Sequence, residues 1–142
     1  MVHLGEGKDG VVFKTYRRTA IKFVTSLEHY TRELRAYRLL NDINVLTVCG
    51  HAVPKLLRYD NDWRAIEMTI VRPPFLLDFV SAYTDEEMDR LDFDDDIWLE
   101  REQTWAEHFG QRWEHVKEIR RTFHELTGLT LLDLSLNNIR FD

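Results

Sequence analysis

Three glycines in Leu4-Gly5-Glu6-Gly7-Lys8-Asp9-Gly10-Val11-Val12 stand at i, i+2 and i+5, and Ala20-Ile21-Lys22 follows within one hairpin's length. Glycine lets backbone amides approach closely, and phosphate oxygens accept hydrogen bonds from such amides. A lysine on the next strand would supply the positive charge those oxygens require. The ordered set Gly5, Gly7, Gly10, Val12, Ala20 and Lys22 therefore points to phosphate binding, with Val12 and Ala20 offering small apolar contacts beside it. Lys22 has apolar neighbours on both sides in sequence, so its ammonium would be desolvated and in need of an anion.

That anion can come from the following helix. Tyr30, Glu33, Tyr37 and Leu40 are spaced 3, 4 and 3, which places Glu33 inside an apolar stripe. Glu28 falls beside Thr31, Arg32 and Arg35 and reads as solvated. Far along the chain, Leu131-Leu132-Asp133-Leu134-Ser135-Leu136-Asn137-Asn138-Ile139 contains D-x-x-x-x-N. Asp133 could orient an acceptor hydroxyl, and Asn138 could bind a magnesium ion.

The elements that must position these residues follow from periodicity. Residues 11–16 and 19–24 read as strands joined at Arg17-Arg18, with Ala20, Lys22 and Val24 on one face. Thr25 or Ser26 can cap a helix running to about Asn41. Strands are expected near Val53–Tyr59 and Arg64–Val71, separated by the turn Asp60-Asn61-Asp62. Pro73-Pro74 halts the second of these and can open a short helix over Phe75–Tyr83. A long helix is expected over Gln103–Thr127, its stripe being Trp105, Phe109, Trp113, Val116, Ile119, Phe123 and Leu126. Gly128 sits where its carboxyl-terminal cap belongs.

Composition narrows the function classes. The 142 residues carry 44% hydrophobic side chains, enough for one domain with a buried core. A net charge of -6 speaks against a general nucleic-acid binder. Residues 1–64 hold 11 Lys/Arg against 7 Asp/Glu, while residues 65–142 hold 8 against 18, so the first part suits an anionic ligand better. Cys49 is the single cysteine, which rules out an internal disulfide. No apolar run approaches the roughly 20 residues that cross a bilayer, and the expectation is a soluble, cytoplasmic protein without a membrane partner. The acidic run Asp92-Phe93-Asp94-Asp95-Asp96 has Ile97 where a calcium loop needs glycine, and reads as a solvated connector.

On these motifs the whole chain, Leu4 through Asp142, resembles the protein kinase superfamily, particularly a small bacterial kinase-like group. The resemblance implies an α+β fold: an antiparallel sheet lobe with one helix over residues 1–71, and an abbreviated helical lobe over 72–142. It implies ATP and Mg2+ as ligands. Gly5, Gly7 and Gly10 would cover the phosphates, Val12 and Ala20 would enclose adenine, and Ile66–Pro74 would lie beside it as the hinge. Lys22 would contact the phosphates with Glu33 holding it, Asp133 would be the catalytic-loop aspartate, and Asn138 the metal-binding asparagine. Three departures accompany the resemblance. Leu131 and Leu132 stand where histidine and arginine usually precede the aspartate, Ser135 stands where a lysine is common, and no D-F-G segment follows Asn138. The family pattern is thus truncated or degenerate after the catalytic loop. Two functions are consistent with it: transfer of the ATP γ-phosphate to a hydroxyl acceptor, or a pseudokinase that binds and regulates without turnover, with any protein partner unknown.

Overall fold

The computed structural model describes residues 1–7 and 9–142; Lys8, inside the glycine segment, lies outside them. The fold is α+β. Strands β1 (Val2–Gly7), β2 (Gly10–Lys14) and β3 (Thr19–Val24) open the chain, followed by helix α1 (Leu27–Asp42). Short strands β4 (Thr47–Val48) and β5 (His51–Ala52) precede β6 (Leu56–Asp60) and β7 (Ala65–Thr69). Then come β8 (Phe75–Leu76), β9 (Ala82–Thr84), α2 (Asp85–Leu91), α3 (Asp95–Phe109), α4 (Trp113–Thr127), β10 (Leu129–Leu131) and β11 (Ile139–Arg140).

The main sheet is five-stranded and antiparallel, in the order β1-β2-β3-β7-β6. Its centre is β3, where alternation buries Ala20, Lys22 and Val24 and leaves Thr19, Ile21 and Phe23 half-buried. The β2–β3 turn is closed by Thr15, whose amide and hydroxyl bond Thr19, while Arg18 takes the left-handed conformation at φ 62°. Helix α1 starts where Ser26 Oγ accepts the His29 amide, a side-chain cap. Its inward face is Tyr30, Glu33, Leu34, Tyr37 and Leu40, which packs on the sheet and on the helices beyond.

Two smaller sheets complete the fold, and the larger joins the two halves of the chain. Strand β11 pairs antiparallel with β8, and β8 continues to β5 and β4. Strand β10 pairs antiparallel with β9. The helix expected over Phe75–Tyr83 is therefore replaced by the two strands β8 and β9, each held by a partner from the far end of the chain. The helix expected over Gln103–Thr127 is likewise divided. Gly110, at φ 57°, ends α3 and a turn of 3-10 helix over Gly110–Arg112 leads into α4. Within the expected stripe, Trp105, Phe109, Val116, Ile119 and Phe123 are buried, whereas Leu126 is exposed. Gly128 closes α4 at φ 76°. Among the described residues no helix is long and apolar enough to cross a membrane.

Candidate functional site

Antiparallel pairing of β1 with β2 sets Gly7 opposite Gly10 at the end of the ribbon. Gly10 is required there by close approach: a Cβ on it would stand 2.3 Å from the Phe23 carbonyl oxygen. Among the described residues Gly5 and Gly7 have no neighbour within 4 Å of such a Cβ. Under this ribbon lies a cavity of about 720 Å³. Its lining includes Gly5, Gly7, Gly10, Val12, Ala20, Lys22, Glu33 and Asn138 together. Residues 68–71, where β7 runs out toward Pro73-Pro74, form its opposite edge.

At the closed end the charges are arranged around one lysine. Lys22 Nζ donates to Glu33 Oε1 at 3.1 Å and Oε2 at 2.8 Å. Asp78 Oδ1 stands 3.6 Å from the same nitrogen, too far for a hydrogen bond. That oxygen is buried and has no hydrogen-bond partner among the described residues. Burial works against the Lys22 ammonium, but the carboxylates of Glu33 and Asp78 more than offset it and hold its pKa above the ordinary lysine value. Burial also pushes the Glu33 carboxyl up, to about 7, against the pull of Lys22, and the negative charge of Asp78 adds to the rise. With Asp9 also on the lining, the described residues bring more acid to the pocket than Lys22 neutralises, a setting that favours an added cation.

Asp78 is the residue that sequence reasoning passes over. It lies two residues past the end of β8 and adopts φ 72°, a left-handed conformation uncommon outside glycine, asparagine and aspartate. The next residue fixes it: the Phe79 ring stacks on Phe123 of α4 at 5.3 Å and meets Tyr37 of α1 edge-on at 5.0 Å. The Leu77 amide donates to the Asn138 carbonyl at 2.9 Å, so pairing of β8 with β11 carries Asn138 to Asp78. A local signal is present in the aspartate after the apolar pair Leu76-Leu77, but Asn138, which bonds the Leu77 amide, is distant in sequence.

Asp133 lies apart from this cluster. Leu132 and Leu134 turn inward and are buried, so the intervening Asp133 is exposed and does not line the cavity. The strand leading to it is clamped by two arginines: Arg120 Nε donates to the Leu131 carbonyl at 2.8 Å and Arg101 to the Leu132 carbonyl at 3.3 Å. Ser135 closes the turn after it by accepting the Asn138 and Ile139 amides at its carbonyl.

Among the described residues, no group of three or more His, Cys, Asp or Glu side chains is set to hold a metal ion by itself. Any metal here would have to share Asp78, the Asn138 side chain and oxygens brought by a ligand. The arrangement sets one lysine ammonium near the glycine ribbon, and leaves one carboxylate oxygen, on Asp78, without a hydrogen-bond partner among the described residues. Comparison with protein-family models, curated proteins and solved structures gave no match.

Proposed function

We propose that this chain binds ATP with Mg2+ in the cavity beneath the glycine ribbon, and that its fold is a protein-kinase-like one with phosphotransferase chemistry. The observation that carries the proposal is the buried cluster of Lys22, Glu33 and Asp78 at the closed end of a cavity roofed by Gly5, Gly7 and Gly10. Lys22 would contact phosphate oxygens while Glu33 holds its position, and Val12 with Ala20 would cover the base. The donor set fits magnesium, a hard cation that takes one or two protein oxygens and completes its shell with phosphates and water. Asp78 Oδ1 and Asn138 would be its protein ligands. When bound, magnesium neutralises charge on the transferring phosphoryl group.

On this reading the segment Asp78-Phe79-Val80 stands in for the D-F-G segment that the family places after its catalytic loop. Here it precedes Asp133 and Asn138 in the chain, and the β8–β11 and β9–β10 pairings support the same meeting of elements in a different order. Calorimetry with ATP and Mg2+ tests the proposal. Saturable binding is expected, weakened by Lys22→Ala, with Asp78→Asn removing its magnesium dependence. Absence of heat and of any thermal shift at millimolar ATP would overturn it.

A second reading, a pseudokinase that binds nucleotide without turnover, is favoured by the exposure of Asp133 away from the cavity lining and by Ser135 in place of the usual lysine. ATP consumption by wild type beside Asp133→Asn separates the two. Slow and equal rates support the pseudokinase, and rapid turnover abolished by the substitution supports the enzyme.

A further inference from the structure

The second half of the chain is strongly acidic, yet it holds a cavity of about 350 Å³ between α3, α4 and β10 whose charged lining is mainly cationic. Trp105 and Trp113 form its apolar wall, and Lys117, Arg120 and Arg121 contribute its cations. Against these stand one lining acid, Glu102, and the same-helix partners of Lys117 and Arg121, so Arg120 is the lining cation left without an ion pair among the described residues. The remaining ionisable lining group, His124, is engaged with Asp85 at 2.8 Å.

Arg120 is the centre of the site. Its Nε is occupied by the Leu131 carbonyl at 2.8 Å and its guanidinium lies 5.2 Å over the Trp105 ring. Among the described residues no carboxylate lies within ion-pair distance of it, although the side chain is half-buried. The terminal nitrogens of this guanidinium make no hydrogen bond among the described residues, leaving a planar fork of the kind that grips oxyanions bidentately. Burial lowers its pKa, which is the signature of a charge without adequate compensation. Lys117 and Arg121 do have partners, Glu114 at 2.7 Å and Glu125 at 2.8 Å, on the same helix. Both are solvent-exposed pairs at i,i+3 and i,i+4, which are weak and give way readily to a better anion. Lys117 also lies 5.8 Å over the Trp113 ring, so its ammonium is already held at the cavity wall.

We propose that this cavity is a binding site for a phosphate monoester. Its oxygens would lie on the free fork of Arg120 and on Lys117, displacing Glu114 from the latter, and its organic part against the indoles. The site is separate from the glycine-roofed cavity, shares no lining residue with it and does not depend on nucleotide binding there.

Titration of the whole chain with phenyl phosphate, followed by calorimetry and by the indole N–H signals of Trp105 and Trp113, tests the proposal. Saturable binding is expected, and phenol should give none. Arg120→Gln and Lys117→Ala should each weaken binding about tenfold or more, the effect of losing a charge-assisted hydrogen bond. Because Arg120 also holds Leu131 and its replacement could disturb folding, the exposed Lys117→Ala variant decides if Arg120→Gln is not native. No saturable binding, or an unchanged affinity in Lys117→Ala, would each overturn the assignment.

Discussion

The Asp78 carboxylate stands 3.6 Å from the Lys22 ammonium, although the two residues come from the loop between β8 and β9 and from the centre of the main sheet. Neither forms a hydrogen bond with the other at that distance, so Asp78 adds field without taking a proton donor from Glu33. The lysine is consequently held by one acid and faced by another. This asymmetry sets what each substitution should do.

Removing one member of a buried ion pair typically costs about 3–5 kcal/mol, because the other charge is left without compensation. Lys22→Met leaves two acids facing each other in the cavity wall and should show a loss of that order. Glu33→Gln leaves Asp78 to compensate the ammonium, so its loss should be smaller. The double variant should depart from additivity by about 0.5–3 kcal/mol, as expected for residues in direct contact. Urea denaturation of the four proteins measures this, and strict additivity would show that Lys22 and Glu33 are not coupled.

The pH dependence follows from the same cluster. Folding raises the Glu33 carboxyl from 4.5 to about 7, so between those values the folded chain keeps a proton that the unfolded chain has lost. Stability from this group must therefore fall as pH rises from 4.5 to about 7, and level off above. Glu87 has the opposite sign. Its hydrogen bonds to Arg35, opposed by burial and joined by the Thr84 amide, hold it down at about 2. Its contribution is present above 4.5 and is lost as pH falls toward 2. Denaturation at a series of pH values should show Glu33→Gln flattening the decline above pH 4.5 and Glu87→Gln flattening the one below it. A Glu33→Gln profile that still declines between 4.5 and 7 would place that titration on another group.

Local pattern was sufficient for the part of the site built from neighbours in sequence. Alternation places Lys22 inward on β3, and the 3, 4, 3 spacing places Glu33 on the buried face of α1; their meeting needs only that the helix pack back on the strand. Strand β1 escapes such reading because Val2–Gly7 is mostly exposed and contains two glycines, so it shows no apolar alternation. The segment after Pro73-Pro74 is misread as a helix for a different reason. Phe75 and Leu76 are held extended by Arg140 and Ile139, and no local propensity encodes partners so remote. Asp78 inherits that difficulty, since its role depends on the same pairing. The stripe from Trp105 to Phe123 is legible throughout, but Gly110 turns the chain inside it and makes two helices of one pattern.

The glycines of the ribbon give the sharpest separation of folding from binding. An alanine at position 10 would bring its Cβ to 2.3 Å from the Phe23 carbonyl oxygen, a backbone atom of the adjacent strand that cannot turn aside. Gly10→Ala should therefore force β2 away from β3 and destabilise the fold, by the ~1–3 kcal/mol typical of overpacking. Gly5→Ala and Gly7→Ala meet nothing within 4 Å among the described residues, so melting temperatures close to wild type are expected for both. If the ribbon covers phosphates, the same two substitutions should weaken ATP binding by narrowing the approach of the backbone amides to the oxygens. Thermal denaturation and calorimetry on the three variants check both halves. A Gly10→Ala protein as stable as wild type would contradict the close β2–β3 contact, and unchanged ATP affinity in Gly5→Ala and Gly7→Ala would move the phosphates away from the ribbon.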